Sequence, residues 1–228
     1  MKKIKFASPL DFIEMPKPAV KYIPEWYKKT PAEINKDAVK THDLRTFKHC
    51  IPFLDSMTSG YIFELWQDVE IRPKQDGSTS IHWKKVDAEI FSSKPEGSTG
   101  FMDTPYGYDK TVYSFHHNLY IKTPPGYSII ITQPFNRTDL PFYALSGIVD
   151  TDKYPLYPGQ YPVFLKKGFD GIVERGTPML QIIPFKRDDW KSEISEDLEK
   201  EGAITRRIAS TFLSFWYKRN AWVKKSYE

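Results

Sequence analysis

One cysteine, Cys50, stands in a chain of 228 residues. No disulfide can form within the chain, so the fold needs no oxidising compartment. No stretch approaches the roughly 20 apolar residues of a membrane-spanning helix. The opening MKKIKFASPLDF is basic but has no apolar run behind it, which argues against a secretory signal. Neither a Walker A pattern nor G-x-G-x-x-G occurs, which removes the common phosphate-loop classes. G-x-S-x-G and His-Glu-x-x-His are also missing, as is any His-x-Asp or His-x-Glu half of an iron triad. A zinc finger cannot be built from one cysteine. There is no excess of one charge: 33 basic residues meet 29 acidic ones, a formal net charge of +4. That is a mixed surface rather than the footprint of a nucleic-acid binder. Internal repeats and low-complexity segments are absent as well.

What the chain does have is aromatic residues, at 15%, and 18 prolines against 12 glycines. Together they favour a β-rich fold with many stiff connections. Residues 1–45 read as an arm. Prolines at 16, 18, 24 and 31 forbid a long helix there. A short turn at Glu25–Lys29, started by Pro24, carries a sticky face of Tyr22, Ile23, Trp26 and Tyr27. That face suits either its own domain or a neighbouring subunit.

Residues 46–190 read as the β core. YIFELWQDVEI (61–71) alternates as one half-buried strand, and KQDGSTS turns through Asp76-Gly77 into SIHWKKV, predicting a hairpin. A long loop spans 94–109. Strands are expected at 111–122, 124–134, 142–150, 160–167, 169–174 and 178–185. Such spacing without intervening helices indicates a barrel or sandwich. Residues 191–228 hold a helix over 195–219 and a tail. Ser195 caps the helix, with acidic residues near its start and Lys218 and Arg219 near its end. Ile204, Ile208, Phe212, Phe215 and Trp216 follow helical spacing. This apolar face needs a partner, either the β core or another subunit.

GIVDTDKYPL (147–156) is the stretch richest in possible chemistry. Asp150 and Asp152, two apart on an extended chain, point to one face. The pair suits a water-activating carboxylate, a metal site, or a strand that ends in a polar turn. His116 and His117 alternate faces and cannot chelate together, and His49 beside Cys50 diverges from it, so no metal site is expected. EGSTGF (96–101) offers backbone N–H groups to an anion or is a plain surface turn. Trp66, Trp83 and Tyr120 would line a ligand cavity in a barrel, or simply fill its core.

Over roughly 124–186 the chain resembles the dUTPase and dCTP deaminase superfamily, whose fold is a β-clip. The resemblance rests on Gly147-Ile148-Val149-Asp150-Thr151-Asp152-Lys153-Tyr154, with one lysine inserted before the tyrosine, and on Arg175-Gly176 followed by Gln181-Ile182-Ile183. It implies that Asp150 would position the attacking water, in the manner of a general base beside a Mg²⁺-bound triphosphate. Tyr154 would pack on a deoxyribose, and Gln181 would contact a phosphate or a neighbouring subunit. The family's Pro-Arg-Ser-Gly segment is replaced by QPFNRTDLP, which keeps only Arg137, and the glycine-rich C-terminal flap is absent. What remains builds the fold, while most of what grips three phosphates is missing.

The chain also resembles an uncharacterised family of tailed phages, through IPEWYKK, TPPGYS, SGIVDTD and GTPMLQIIPFKRDDW. The β-clip architecture is also similar to that of some capsid decoration proteins, which are trimers. The expectation is therefore a mostly β protein with a β-clip or distorted barrel core, an N-terminal arm and a C-terminal helix. Its role would be a non-catalytic phage structural or assembly one, as a homo-oligomer with a trimer favoured. Other virion proteins are further candidate partners, whereas nucleic acid and membrane are not. It would sit in host cytoplasm or the assembled virion, not secreted, and would need no cofactor. Candidate interface residues are Trp26, Tyr27, Phe212 and Trp216. The alternative is a divergent nucleotide-hydrolysing or nucleotide-sensing protein using Mg²⁺, with Asp150 catalytic and Tyr154, Gln181 and Arg137 binding substrate.

Overall fold

The computed structural model describes residues 2–34, 46–75, 78–84, 88–94, 100, 102–154 and 159–228. The chain is mostly β. In order, the elements are β1 (Lys5–Ala7), β2 (Lys17–Pro18), α1 (Glu25–Lys29), α2 (Ile51–Thr58), β3 (Tyr61–Glu64), β4 (Val69–Pro73) and β5 (Thr79–Trp83). Then follow β6 (Phe91–Ser93), β7 (Tyr108–His116), β8 (Tyr120–Lys122), β9 (Tyr127–Thr132), β10 (Phe142–Ala144) and β11 (Gly147–Val149). The chain ends with β12 (Gln160–Lys166), β13 (Gly171–Val173), β14 (Pro178–Lys186) and α3 (Glu196–Asn220).

Four antiparallel sheets, not one closed barrel, hold the described strands. Their orders are β11-β9-β14-β3-β2, β10-β12-β7-β6, β13-β4-β5 and β1-β8. The core between them is built on large apolar side chains, among them Phe63, Phe115, Phe142, Leu65 and Ile129. Each contributes about 1.5–3 kcal/mol by leaving water. No helix among the described residues is long and apolar enough to cross a membrane.

Three expected strands are each two. The run 61–71 divides into β3 and β4, because the chain leaves the first sheet at Leu65, whose N–H donates to Thr177 O (2.8 Å) and whose O accepts from Gly176 N–H (2.8 Å). The run 111–122 breaks at Asn118, whose φ of 49° is left-handed. The run 142–150 divides between two sheets at Leu145–Ser146. Alternation continues through the first two corners, so a period-2 pattern cannot show there that the sheet has changed. The hairpin is present as β4 and β5, with Ile71 opposite Ile81, and Asp76-Gly77 lies outside the described residues, as does most of EGSTGF.

The N-terminal segment, expected as an arm, is stitched to the core. In the β1–β8 pair Phe6 lies opposite Ile121, in the β2–β3 pair Lys17 lies opposite Ile62, and Ile13 is buried between them in the core cluster. Tyr27 is buried within its own chain, against Phe53 (ring centroids 6.0 Å) and under the Lys48 ammonium (4.6 Å). Of the two aromatic residues expected at an interface, Tyr27 is thus covered by its own chain and Trp26 stays partly exposed. α2 was not anticipated. Its N-cap, Cys50, makes no side-chain bond, and Pro52 in the first turn is the one start signal.

α3 matches the expected helix, with Ser195 Oγ accepting from Leu198 N–H at 3.3 Å. Every described side chain from 197 to 207 is exposed, so this part of the helix does not pack on the core. Trp216 is half-buried, and the Phe212 side chain lies outside the described residues. The tail beyond α3 returns to α2, where Asp55 Oδ2 accepts from Trp222 Nε1 (2.9 Å) and Lys225 Nζ (2.5 Å).

Candidate functional site

β11 ends at Val149, one residue before Asp150, and a tight turn follows. Asp150 O accepts from Lys153 N–H and Tyr154 N–H, both at 2.9 Å, while Thr151 N–H donates to Val149 O (3.0 Å). The turn faces the end of β14. That strand runs antiparallel to β9, with Lys186 opposite Tyr127, and the Arg187 N–H donates to Gly126 O at 2.9 Å. This continuation of the ladder brings the Arg187 side chain under both aspartates.

The guanidinium is the centre of the cluster. Arg187 Nη1 donates to Asp152 Oδ1 (2.7 Å), Ser128 Oγ (2.8 Å) and Asp150 Oδ1 (3.2 Å), and Nη2 donates to Asp152 Oδ2. Asp152 also accepts from Gly126 N–H at 2.8 Å, and its side chain is only 3% exposed. Arg187 above all, then the Gly126 N–H, hold the Asp152 carboxyl well below the usual carboxylate range. Asp150 accepts from Ser128 Oγ (2.5 Å) and remains 57% exposed. Beneath the turn, the buried hydroxyls of Thr151 and Thr123 share a bond of 2.8 Å. The two carboxylates thus do different things. Asp152 is a structural anchor with its lone pairs in use, and Asp150 reaches solvent.

Behind the turn, β11 and β12 splay into different sheets and leave a cavity of about 180 Å³. Val149, Thr151, Tyr154 and Tyr161 line it, with Ile129, Ile131 and His117 deeper in. His117 Nδ1 accepts from Leu119 N–H (3.0 Å), which places the ring proton on Nε2. Burial, then the neighbouring His116, push this imidazole down to about 4. Burial also pushes the Tyr161 phenol up. Gly159 closes against the ring so tightly that a Cβ there would fall 2.4 Å from Nε2. The splayed hairpin and its buried histidine went unnoticed in the sequence. The signal available was Gly159 beside Gln160, a small residue where a bulky ring must fit.

Gln181 is not with this cluster. It is fully buried on β14, and its amide is used within the chain: Nε2 donates to Ser56 O (2.8 Å) and Ser59 O (2.7 Å), and Oε1 accepts from Phe135 N–H (2.8 Å). Two of these groups are carbonyls at the C-terminal end of α2, which the helix itself leaves without partners. Gln181 therefore caps the C-terminal end of α2. Arg137 lines the same small recess, its guanidinium paired with Asp139 at 2.7 and 2.8 Å. The structure groups Asp150 and Tyr154 at the hairpin, and Arg137 and Gln181 elsewhere. Among the described residues no three His, Cys, Asp or Glu side chains converge as a metal site requires.

No family model matches the chain, and no curated protein does. Among solved structures it is similar to a mutant dUTPase of Staphylococcus bacteriophage 80alpha with dUpNHpp, at a TM-score of 0.37 and 9% identity, over 85% of this chain and 97% of that one. It is likewise similar to a mutant dUTPase from phage phi11 of S. aureus, at a TM-score of 0.36 and 9% identity, over 86% of this chain and 99% of that one.

Proposed function

We propose that the chain is a non-catalytic structural or assembly protein of the phage type its sequence resembles, working as a homo-oligomer in a virion or beside one. The observation that carries this reading is the use made of Arg187. The cation nearest the candidate carboxylates is committed to both of them and to Ser128. Arg137 is committed to Asp139, and Gln181 to the backbone. A triphosphate needs several free donors to offset its charge, and the groups the motif would assign to it are already paired. The oligomer is supported by the exposed apolar residues Trp190, Ile194, Leu198 and Ile204 before and along α3. The trimer favoured by the sequence and contacts with other virion proteins belong to this same reading, which requires no cofactor.

One observation favours a second reading, a nucleotide-binding or nucleotide-hydrolysing protein. The cavity behind the hairpin has Tyr154 at its edge, and half-exposed Asp150 occupies the adjoining turn. A base and sugar in the cavity would leave phosphates outside it, and Mg²⁺ would arrive with them. Thermal unfolding with deoxynucleoside mono-, di- and triphosphates and Mg²⁺ tests the two readings, for wild type and Asp150→Asn. A ligand at about 100 times its dissociation constant stabilises by about 2.7 kcal/mol. No shift with any nucleotide, together with self-association in solution, is the expected result. A shift with one nucleotide that changes in Asp150→Asn overturns the non-catalytic reading.

A further inference from the structure

We infer that the cavity behind the hairpin binds a small uncharged molecule, the size of a single six-membered ring, that presents an acceptor oxygen to His117. Such a ligand differs from the base and sugar of the second functional reading, and it stands or falls apart from the oligomer. Leu119, Ile121, Ile129, Ile131 and Val149 make the walls aliphatic, and none of the described residues that line the cavity is charged. A ligand carrying a full charge would lose its water there with no counter-charge in reach. The volume of about 180 Å³ holds one substituted ring, since a cavity of about 150 Å³ with similar walls takes up benzene.

Two polar groups in this apolar space lack partners. His117 is 4% exposed and Tyr161 8%, and their ring centroids lie 5.8 Å apart. Burial keeps the imidazole neutral at ordinary pH. Its Nδ1 is taken by Leu119 N–H, so Nε2 carries the proton, and that N–H has no acceptor among the described residues. The Tyr161 hydroxyl has no hydrogen-bond partner among them either. Folded chains seldom bury such groups unpaired, because their lost hydration then goes uncompensated. Gly159 leaves the nitrogen uncovered: a Cβ there would fall 2.4 Å from Nε2 and plug the approach to it. Water fills such a space poorly, since each molecule needs about two to four polar partners and the aliphatic walls supply none. A carbonyl oxygen, with two lone pairs, can accept from the imidazole N–H and has capacity left for the phenol. A pyrimidine base fits less well, because its carbonyls and ring N–H outnumber the two free side-chain groups. Tyr154 and Gln160, both exposed, form the solvent side of the cavity.

Titration of the full chain with cyclohexanone tests this, followed by methyl NMR and thermal unfolding. Methylcyclohexane is the control of similar shape without an acceptor, and deoxyuridine is the nucleoside control. Cyclohexanone should saturate with a Kd of about 1 mM or below and shift the methyl signals of Leu119, Ile129 and Ile131. Val149→Phe, which fills the space, should abolish binding while thermal unfolding shows the fold intact. His117→Phe should weaken cyclohexanone about three- to tenfold and leave methylcyclohexane unchanged. Should that variant not fold, the imidazole N–H signal of wild type decides, because it should shift with cyclohexanone and not with methylcyclohexane. No saturation up to about 10 mM, equal affinity for the two probes, or binding that survives Val149→Phe overturns the assignment. Saturation by deoxyuridine and not by cyclohexanone also overturns it, and gives the cavity to the nucleotide reading. None of these results alters the self-association that tests the oligomer.

Discussion

Replacing Gln181 with leucine separates a structural residue from a ligand-binding one. The substitution keeps the side-chain volume nearly constant, so cavity effects are small. It leaves three backbone groups without partners: Ser56 O, Ser59 O and Phe135 N–H. Gln181 is fully buried, so water does not replace the lost amide. An unsatisfied buried polar group costs about 1–3 kcal/mol, while removing the glutamine's own desolvation returns part of that. A net loss of about 3–5 kcal/mol follows for the three together. For a chain of this length about 1 kcal/mol shifts Tm by roughly 2–4 °C, so Tm should fall by about 10 °C. Differential scanning calorimetry with matched urea titrations reads it out. The urea m-value should not change, since the loss lies in the native state. A Tm within about 2 °C of wild type would refute the reasoning, because it would mean that the amide's bonds are dispensable or replaced by water. Loss of a nucleotide-induced shift with Tm intact would return Gln181 to the ligand-contact role its motif implies.

Two carboxylate and histidine effects separate by pH. His117 is held at about 4 when folded against an ordinary 6.5, so the unfolded chain binds more protons between those values. Stability should therefore fall by about 3 kcal/mol as pH drops from 6.5 to 4, and His117→Phe should flatten that slope in urea titrations. Asp152 has a depressed folded pKa, so its contribution is complete above the ordinary aspartate pKa of about 3.9 and is lost below it as pH falls toward the folded value. Arg187→Ala should remove that lower limb and leave the His117 slope in place. Gly60 has φ +75°, and a Cβ there would fall 2.1 Å from Ile182 O, so Gly60→Ala should lower stability by about 3 kcal/mol or more or yield no folded protein.

Where local chemistry decides structure, the sequence was readable. α1 and α3 follow from Pro24 and Ser195 at their starts, and the β4–β5 hairpin from alternation around a turn. The β3–β4 and β7–β8 corners were invisible because the runs keep alternating while the chain passes between sheets, and only long-range bonds such as Leu65 to Thr177 mark the change. The same limit applied to the site. Spacing pairs Asp150 with Asp152, but it does not reveal Arg187, which reaches them because β14 runs beside β9 and ends at that turn. One cation 35 residues downstream converts one aspartate into an anchor and leaves the other exposed. A motif read as paired carboxylates is in the folded chain a hairpin end closed by an ion pair. Any chemistry there must therefore be argued from Asp150 and the cavity beside it, and not from the pair.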